Sequence, residues 1–155
     1  QHLKDYTLYV CSGYEQEEDF YQEYHKELYE TSNIIPMGFV DIESETFREI
    51  SYKCTFAILP SCAEGCAGSI LTAMSAGMIP IVSKECGFED DEVINLPDCK
   101  METIFGYVVE YSQKDQNWLK NAAKHSMEIV HSRYSKLCFS HSVEKALDGV
   151  LANTK

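Results

Sequence analysis

Basic residues are scarce in this sequence. The chain has 13 Lys and Arg residues against 25 Asp and Glu residues, so its formal net charge is −12 at pH 7. Nucleic-acid backbones and anionic membranes select for basic surfaces. The charge therefore argues against both as partners, and it means that any site for an anion must depend on local dipoles and a few well-placed cations.

Long apolar runs are also missing. No segment approaches the roughly 20 apolar residues that a membrane span needs, and the first residues lack the basic-then-apolar pattern of a secretory signal. The seven cysteines are odd in number and are scattered over predicted strands and helices. Cys62 and Cys66 have no second pair at the spacing of a zinc finger. We therefore expect free thiols, no metal ion, no membrane span and a cytoplasmic location.

The length of the chain suits one hydrophobic core. Its 155 residues are 45% hydrophobic, and two ordinary domains would need a longer chain. The sequence contains no internal repeat and no low-complexity segment. We therefore expect a single domain over residues 1–155.

The stretch from Phe56 to Ser83 has the pattern of a strand, a helix and a second strand. Thr55–Leu59 and Ile79–Val82 are apolar or β-branched at almost every position, as in strands that are covered on both faces. Pro60 ends the first strand, and a loop of small residues leads to a helix that begins near Ser69. The two strands are therefore expected to be parallel, with the loop at the carboxyl end of the first.

This loop lies where open α/β sheets bind ligands. A helix N-terminus offers unpaired N–H groups and a positive dipole end to an anion, and Gly65 and Gly68 would let a diphosphate approach the backbone. Glu64 is the one charged residue of the loop, and sugar hydroxyls are the natural ligand for its carboxylate. The residues alone leave an equal alternative, in which Glu64 favours the helix dipole and the glycines pack a tight turn.

Strands alternate with helices along the rest of the chain, which predicts a Rossmann-like α/β fold with a doubly wound, mostly parallel sheet. The predicted elements are a strand with its turn over Asp5–Gly13, a helix over Glu15–Thr31, a strand over Asn33–Met37, a helix over Ser44–Tyr52, a rim loop over Lys84–Pro97 with a short helix at Glu89–Val93, a strand over Phe105–Val109, a helix from Ser112 or Asp115 to about Tyr134, and a helix from Ser140 or Ser142 through Val150.

The run Pro60–Ser83, PSCAEGCAGSILTAMSAGMIPIVS, resembles the signature of the GT-B glycosyltransferases of the family-4 type. Pro-Ser, Glu-Gly, a small-residue loop, Ala-Met, Gly and Pro follow in the order of that signature. Tyr6–Gly13, Ile35–Tyr52 and Phe105–Val109 resemble other strands and helices of the family. The resemblance implies one half of a GT-B fold, namely the donor-binding C-terminal half of a longer two-domain enzyme.

The resemblance implies a retaining, hexosyltransferase-type enzyme of cell-surface polysaccharide biosynthesis. It would move a sugar from a nucleotide-diphosphate sugar, which is a substrate and not a cofactor, to an acceptor glycan or lipid-linked sugar. The acceptor would bind through a missing N-terminal domain, which would also touch the inner membrane, so the fragment alone is expected to be inactive. The implied site consists of Glu64 as the catalytic residue and of Gly65, Cys66, Ala67, Gly68, Ser69 and Thr72 as substrate-binding residues.

The sequence departs from the family pattern at two places. Thr72 stands where the family has a second Glu that binds the ribose hydroxyls, and nothing in Gln1–Asp5 matches the Arg and Lys that clasp the donor phosphates. A hydroxyl cannot hold two ribose hydroxyls as a carboxylate can. The alternative is therefore a non-catalytic nucleotide- or sugar-binding module of the same fold. A flavodoxin-like regulator fits less well, because Val10–Tyr14 is uncharged where that class has acidic residues.

Overall fold

The computed structural model describes residues 5–152. The chain divides into two compact units between Lys53 and Cys54. Within residues 5–152, five strands form a two-stranded and a three-stranded sheet, each with its own strands parallel, and six α-helices accompany them. This arrangement is Rossmann-like and confirms the predicted α/β class. The expectation of a single domain stays a prediction.

The first unit is a strand–helix–strand motif followed by one further helix, as the sequence predicts. Its elements are β1 (Leu8–Cys11), α1 (Glu18–Glu30), β2 (Ile34–Gly38) and α2 (Glu45–Lys53). The two strands pair in parallel. Acidic residues occupy the first turn of α1, where they favour the positive end of the helix dipole. Ser44 caps α2, because its hydroxyl accepts a hydrogen bond from the N–H of Phe47 at 3.1 Å.

The second unit contains the three-stranded sheet. Its strands, in spatial order, are β3 (Phe56–Leu59), β4 (Ile79–Ser83) and β5 (Ile94–Leu96), and α3 (Gly68–Ser75) connects β3 to β4. All three strands run parallel. Every residue of β4 is buried, because β4 has a strand on each side. The predicted strand–helix–strand unit is therefore confirmed.

The core of the second unit lies where α3 and α5 (Gln116–Arg133) pack against β4. Met74 of α3 and Val82 of β4 are fully buried, and Ile129 of α5 belongs to the same cluster. Residues that fill such a core contribute about 1.5 to 3 kcal/mol each by leaving water. The core therefore holds the helix that follows the candidate loop firmly against the sheet.

Both C-terminal helices begin at a capped residue. Asp115 caps α5 by accepting a hydrogen bond from the N–H of Trp118 at 2.8 Å, in agreement with one of the two predicted starts. The last helix, α6 (Lys136–Ala152), begins earlier than predicted. The reason is a serine upstream of the predicted caps, since Ser135 accepts a hydrogen bond from the N–H of Cys138 at 3.3 Å.

The prediction of a strand at Phe105–Val109 is wrong. These residues lie within α4 (Met101–Ser112). Two adjacent valines favour a strand locally, but the sheltered residues Ile104, Val108 and Tyr111 recur at intervals of four and three, which is the period of a helix face. Burial of that face outweighs the local strand preference.

The prediction of a short helix at Glu89–Val93 is also wrong. Residues 90–92 form a turn, and the strand β5 begins after Val93. A strand of three residues with an asparagine at its centre gives almost no periodic signal. It forms because it pairs with β4, with Ile81 opposite Ile94 and Ser83 opposite Leu96.

A buried carboxylate fastens this turn to the end of α5. The side chain of Glu92 is almost fully buried, and it accepts hydrogen bonds from the Tyr134 hydroxyl at 2.6 Å and from the Arg133 guanidinium at 2.9 Å. Arg133 also contacts Asp91 at 2.6 Å. Burial opposes ionisation of Glu92, but the hydrogen bonds from Tyr134, the N–H of Glu89 and Arg133 outweigh it and lower the pKa of this carboxyl.

We expect this network to make the protein sensitive to acid. A lowered pKa means that Glu92 contributes stability above its ordinary pKa of 4.5, and that this contribution is lost as the pH falls through the folded-state pKa. The free energy of unfolding, measured by urea titration between about pH 6 and pH 3, should therefore fall less steeply in Glu92→Gln than in the wild type.

Glu102→Gln is the control, because Glu102 is exposed on α4 and no hydrogen bond of its carboxylate is recorded within residues 5–152. Its pH slope should match that of the wild type. Equal slopes for Glu92→Gln and the wild type would show that Glu92 does not carry the acid sensitivity.

Candidate functional site

The three parallel strands of the second unit end at one edge, and this edge carries a cleft. The cleft has a volume of about 330 Å³, which is the lower end of the range for small-molecule sites. The last residue of β5 and residues that follow β3, β4 and β5 line it, namely Cys62, Lys84, Glu85, Leu96, Pro97, Asp98 and Cys99. Ligands of open α/β sheets bind at this edge.

The loop between β3 and α3, residues 60–67, is held beside the cleft by the turn that follows β4. This turn, residues 84–87, begins as a 3₁₀ helix over Lys84–Cys86. The N–H of Glu64 donates a hydrogen bond to the carbonyl of Glu85 at 2.9 Å, and the N–H of Ala67 donates to the carbonyl of Cys86 at 3.3 Å. Two backbone hydrogen bonds thus join the loop to the turn.

Gly87 brings the turn into direct contact with the loop. Its φ is +77°, a left-handed backbone conformation that residues other than glycine rarely adopt. A Cβ atom at this position would lie 2.1 Å from the carbonyl oxygen of Gly65. The close approach of the two backbones is therefore possible only with glycine at position 87.

Two buried side chains anchor the turn to the sheet. The thiol of Cys86 is fully buried and donates to the carbonyl of Leu59, the last residue of β3, at 3.3 Å. The hydroxyl of Ser83 donates to the carbonyl of Ser61 at the start of the loop. The loop, the turn and the strand ends therefore form one hydrogen-bonded assembly.

The N-terminus of α3 is open. The N-cap residue Ala67 has extended backbone and supplies no side-chain cap. Within residues 5–152, no recorded hydrogen bond uses the N–H groups of Gly65, Cys66, Gly68 or Ser69. A Cβ atom on Gly65 or Gly68 would meet nothing within 4 Å. This end of the helix can therefore accept an anion on its backbone donors.

The carboxylate of Glu64 is exposed beside these donors. Its recorded hydrogen bond is a long one, 3.4 Å from the hydroxyl of Ser61. Thr72 lies one turn into α3, where its hydroxyl donates to the carbonyl of Gly68 at 3.0 Å. The proton of Thr72 is thus already used within the helix, which leaves its oxygen as an acceptor.

The structure places the predicted site residues on one continuous segment, from the loop into the first turns of α3. The predicted rim Lys84–Pro97 also lies at the cleft, since both of its end residues line it. The cleft lining contains none of the seven predicted site residues, and it includes two that were not singled out, Asp98 and Cys99. They follow β5, and that strand was not recognised in the sequence.

The charges at the cleft are mixed. Lys84 is its one lining cation, and Glu85 and Asp98 are its carboxylates. Hydrogen bonds from Thr103, then from the N–H of Lys100, lower the pKa of Asp98, so it is ionised at neutral pH. The cleft itself therefore does not concentrate positive charge.

The described residues show neither a metal-binding cluster nor a helix that could cross a membrane. Over the described range 5–152, no three His, Cys, Asp or Glu side chains are placed to share a metal ion, and the expectation of no metal stays a prediction. The helices of the same range include none with the length and apolar composition of a membrane crossing.

All seven cysteines are free, in agreement with the sequence analysis.

Comparison with known proteins gives one family. Residues 1–104 match the family model described as "Glycosyl transferases group 1", which covers both units up to the first turn of α4. No curated protein matches the chain.

We predict that the thiol of Cys66 reacts with alkylating reagents more slowly than its exposure would suggest. Partial burial, followed by the negative charge of Glu92, raises the pKa of Cys66, and the thiolate fraction below the pKa falls about tenfold for each unit of pKa. Glu92→Gln should therefore speed the reaction of Cys66 with iodoacetamide at pH 7.5, as followed by mass spectrometry. The rate at Cys99, which is also exposed, should not change. Acceleration at both cysteines would indicate unfolding instead of an electrostatic effect.

Proposed function

Because the chain belongs to the glycosyl transferases group 1 family, we propose that it binds a nucleotide-diphosphate sugar at the carboxyl edge of its three-stranded sheet. The sugar is then transferred to an acceptor with retention of anomeric configuration. One observation carries this proposal: the loop beside the cleft presents an open helix N-terminus and an exposed carboxylate next to each other.

In this proposal the helix N-terminus takes the diphosphate. The N–H groups of Gly65, Cys66, Gly68 and Ser69 are available, and the two glycines leave their Cβ positions open. Fixed backbone dipoles stabilise the negative charge that grows on the leaving diphosphate. Ala67 contributes shape alone, because it is buried and its N–H is bonded to the carbonyl of Cys86.

The carboxylate of Glu64 takes the hydroxyls of the donor sugar. Its long contact with Ser61 is weak, so sugar hydroxyls can replace it at little cost. The cleft suits a neutral, hydroxyl-rich group more than a phosphate, because two of its three charged lining residues are carboxylates. The donor would therefore lie with its phosphates at α3 and with its neutral part towards the cleft.

The setting of the reaction follows from the same proposal. Seven free thiols are typical of a reducing compartment, which supports a cytoplasmic location. We propose that a further domain supplies the acceptor site for a glycan or a lipid-linked sugar of the cell surface, and that this domain makes any contact with the inner membrane.

A non-catalytic nucleotide- or sugar-binding module is the second candidate. Thr72 favours it, because this residue replaces the carboxylate that would hold the ribose, and its hydroxyl proton is already bonded to the carbonyl of Gly68. The two candidates agree on donor binding and differ in turnover. Sugar transfer by the complete protein separates them.

We predict that Glu64→Ala lowers sugar transfer strongly. Loss of a hydrogen bond to a charged group costs about 1.5 to 3 kcal/mol, or roughly 10- to 150-fold in kcat/KM, and more where the bond strengthens in the transition state. Glu64→Gln should lose less, because the amide oxygen still accepts a hydrogen bond. The measurement is initial-rate kinetics with a nucleotide-sugar donor.

Glu43→Ala is the matched control, because Glu43 is exposed in the first unit and its carboxylate has no recorded partner within residues 5–152. It should keep the wild-type rate. Transfer that persists in Glu64→Ala at the control rate would remove Glu64 from the site.

We predict that Thr72→Glu strengthens nucleotide binding if a ribose lies against α3. A carboxylate accepts from both ribose hydroxyls, and charge-assisted bonds are roughly twice as strong as neutral ones. Calorimetry with UDP and GDP should show an affinity gain of about tenfold or more. Unchanged affinity in Thr72→Glu, together with unchanged affinity for dideoxyribose analogues in the wild type, would place the ribose elsewhere.

A further inference from the structure

We propose that Gly87 is a positioning residue for Glu64, and that the turn over residues 84–87 sets where the carboxylate stands relative to the donor. The inference rests on the proposed function, and it adds a residue that the loop sequence itself does not contain. It follows from the backbone hydrogen bonds that hold the loop and from the single long hydrogen bond of the Glu64 side chain.

The backbone determines the position of Glu64 more than contacts of its side chain do. Its side chain is exposed, and its one recorded hydrogen bond is 3.4 Å long. Its N–H, by contrast, donates to the carbonyl of Glu85 at 2.9 Å. The position of the carboxylate therefore depends on the position of the turn to which the Glu64 backbone is hydrogen-bonded.

Gly87 stands at the closest contact of that turn. A Cβ atom there would lie 2.1 Å from the oxygen and 2.9 Å from the carbon of the Gly65 carbonyl. Both atoms belong to the backbone, so no side-chain rotation relieves the overlap. The Gly65 carbonyl must move by about an ångström to reach ordinary contact distance, and Glu64 is the residue that directly precedes Gly65. Misplacement of this size can cost about 100-fold in catalysis.

The hydrogen bonds on either side of Gly65 make the displacement specific. Glu64 and Ala67 both donate to the turn, so a shift of the peptide between them strains both bonds. The turn cannot simply follow the loop, because Cys86 is fully buried and is bonded to the carbonyl of Leu59. The strain is therefore confined to the loop that carries the candidate site.

A second glycine provides a matched control. Gly77 has φ +85°, close to the +77° of Gly87, so Ala at either position suffers the same left-handed strain. A Cβ atom at Gly77 would meet only the flexible side chain of Met127, at 3.8 Å. The difference between Gly87→Ala and Gly77→Ala therefore isolates the contact with Gly65.

The test compares both variants in the full chain. Donor binding is measured by calorimetry with UDP-glucose and GDP-mannose, and loop integrity by amide hydrogen exchange at Glu64 and Ala67. Gly87→Ala should lose about 10- to 100-fold in affinity for whichever donor the wild type binds, as expected for the loss of a hydrogen bond to a charged group, and should exchange faster at both amides. Gly77→Ala should lose stability but keep both properties.

Kinetics separate positioning from a general loss of structure. If Gly87 acts through Glu64, kcat/KM of the double variant Gly87→Ala, Glu64→Ala should be no lower than that of the worse single variant, because no side chain is then left to position. Multiplicative losses, or equal losses in Gly77→Ala and Gly87→Ala, would overturn the proposal.

Two outcomes separate this inference from the proposed function. If the wild type binds neither donor, the proposed function fails, while faster exchange at Glu64 in Gly87→Ala alone still supports the role of the turn. If Gly87→Ala does not fold, Cys86→Ala loosens the same turn without adding an atom. It should then speed exchange at Glu64 and weaken donor binding together, and no change in either would reject the proposal.

Discussion

The complete burial of β4 is the constraint on which the second unit depends. A strand that is buried on both faces cannot leave its backbone groups to water, so β3 pairs with its first four residues and β5 with its last three. Three parallel strands then end at one edge, and the segments that follow them converge there. The cleft, the turn after β4 and the loop with Glu64 all result from that convergence.

Charge is the second constraint, because the chain has few cations to place. One of them, Arg133, is used for structure: it pairs with Asp91 and with the buried Glu92 and so holds the segment that leads into β5. Because the Glu92 side chain is buried, removing Arg133 would leave an uncompensated buried charge, which is more costly than the pair is favourable. Arg133 thus stabilises the segment around Asp91 and Glu92, and it does not line the cleft.

The sequence predicted the fold where burial produces a pattern. Continuous apolar runs identified β3 and β4, and capping residues such as Asp115 identified helix starts. The prediction from the sequence failed where tertiary contacts determine the secondary structure. Phe105–Val109 is helical because one face of α4 is buried, and β5 exists because β4 pairs with it. The loop with Glu64 was found by its motif, whereas the contact of Gly87 with Gly65 joins residues 22 apart in sequence and leaves no local signal.

The proposed function requires this acidic protein to hold an anionic donor, and the open helix end beside the mixed cleft supplies backbone hydrogen-bond donors for it. At physiological ionic strength the net charge is screened beyond about 8 Å, so distant carboxylates weigh little against groups in contact with the phosphate. Backbone N–H groups are fixed by the helix and lose no side-chain entropy on binding, unlike lysine side chains. Their placement depends on the backbone that carries them, and here that backbone rests on the turn after β4. Recognition of the donor would therefore be sensitive to packing beneath the loop more than to the charge of the surface around it.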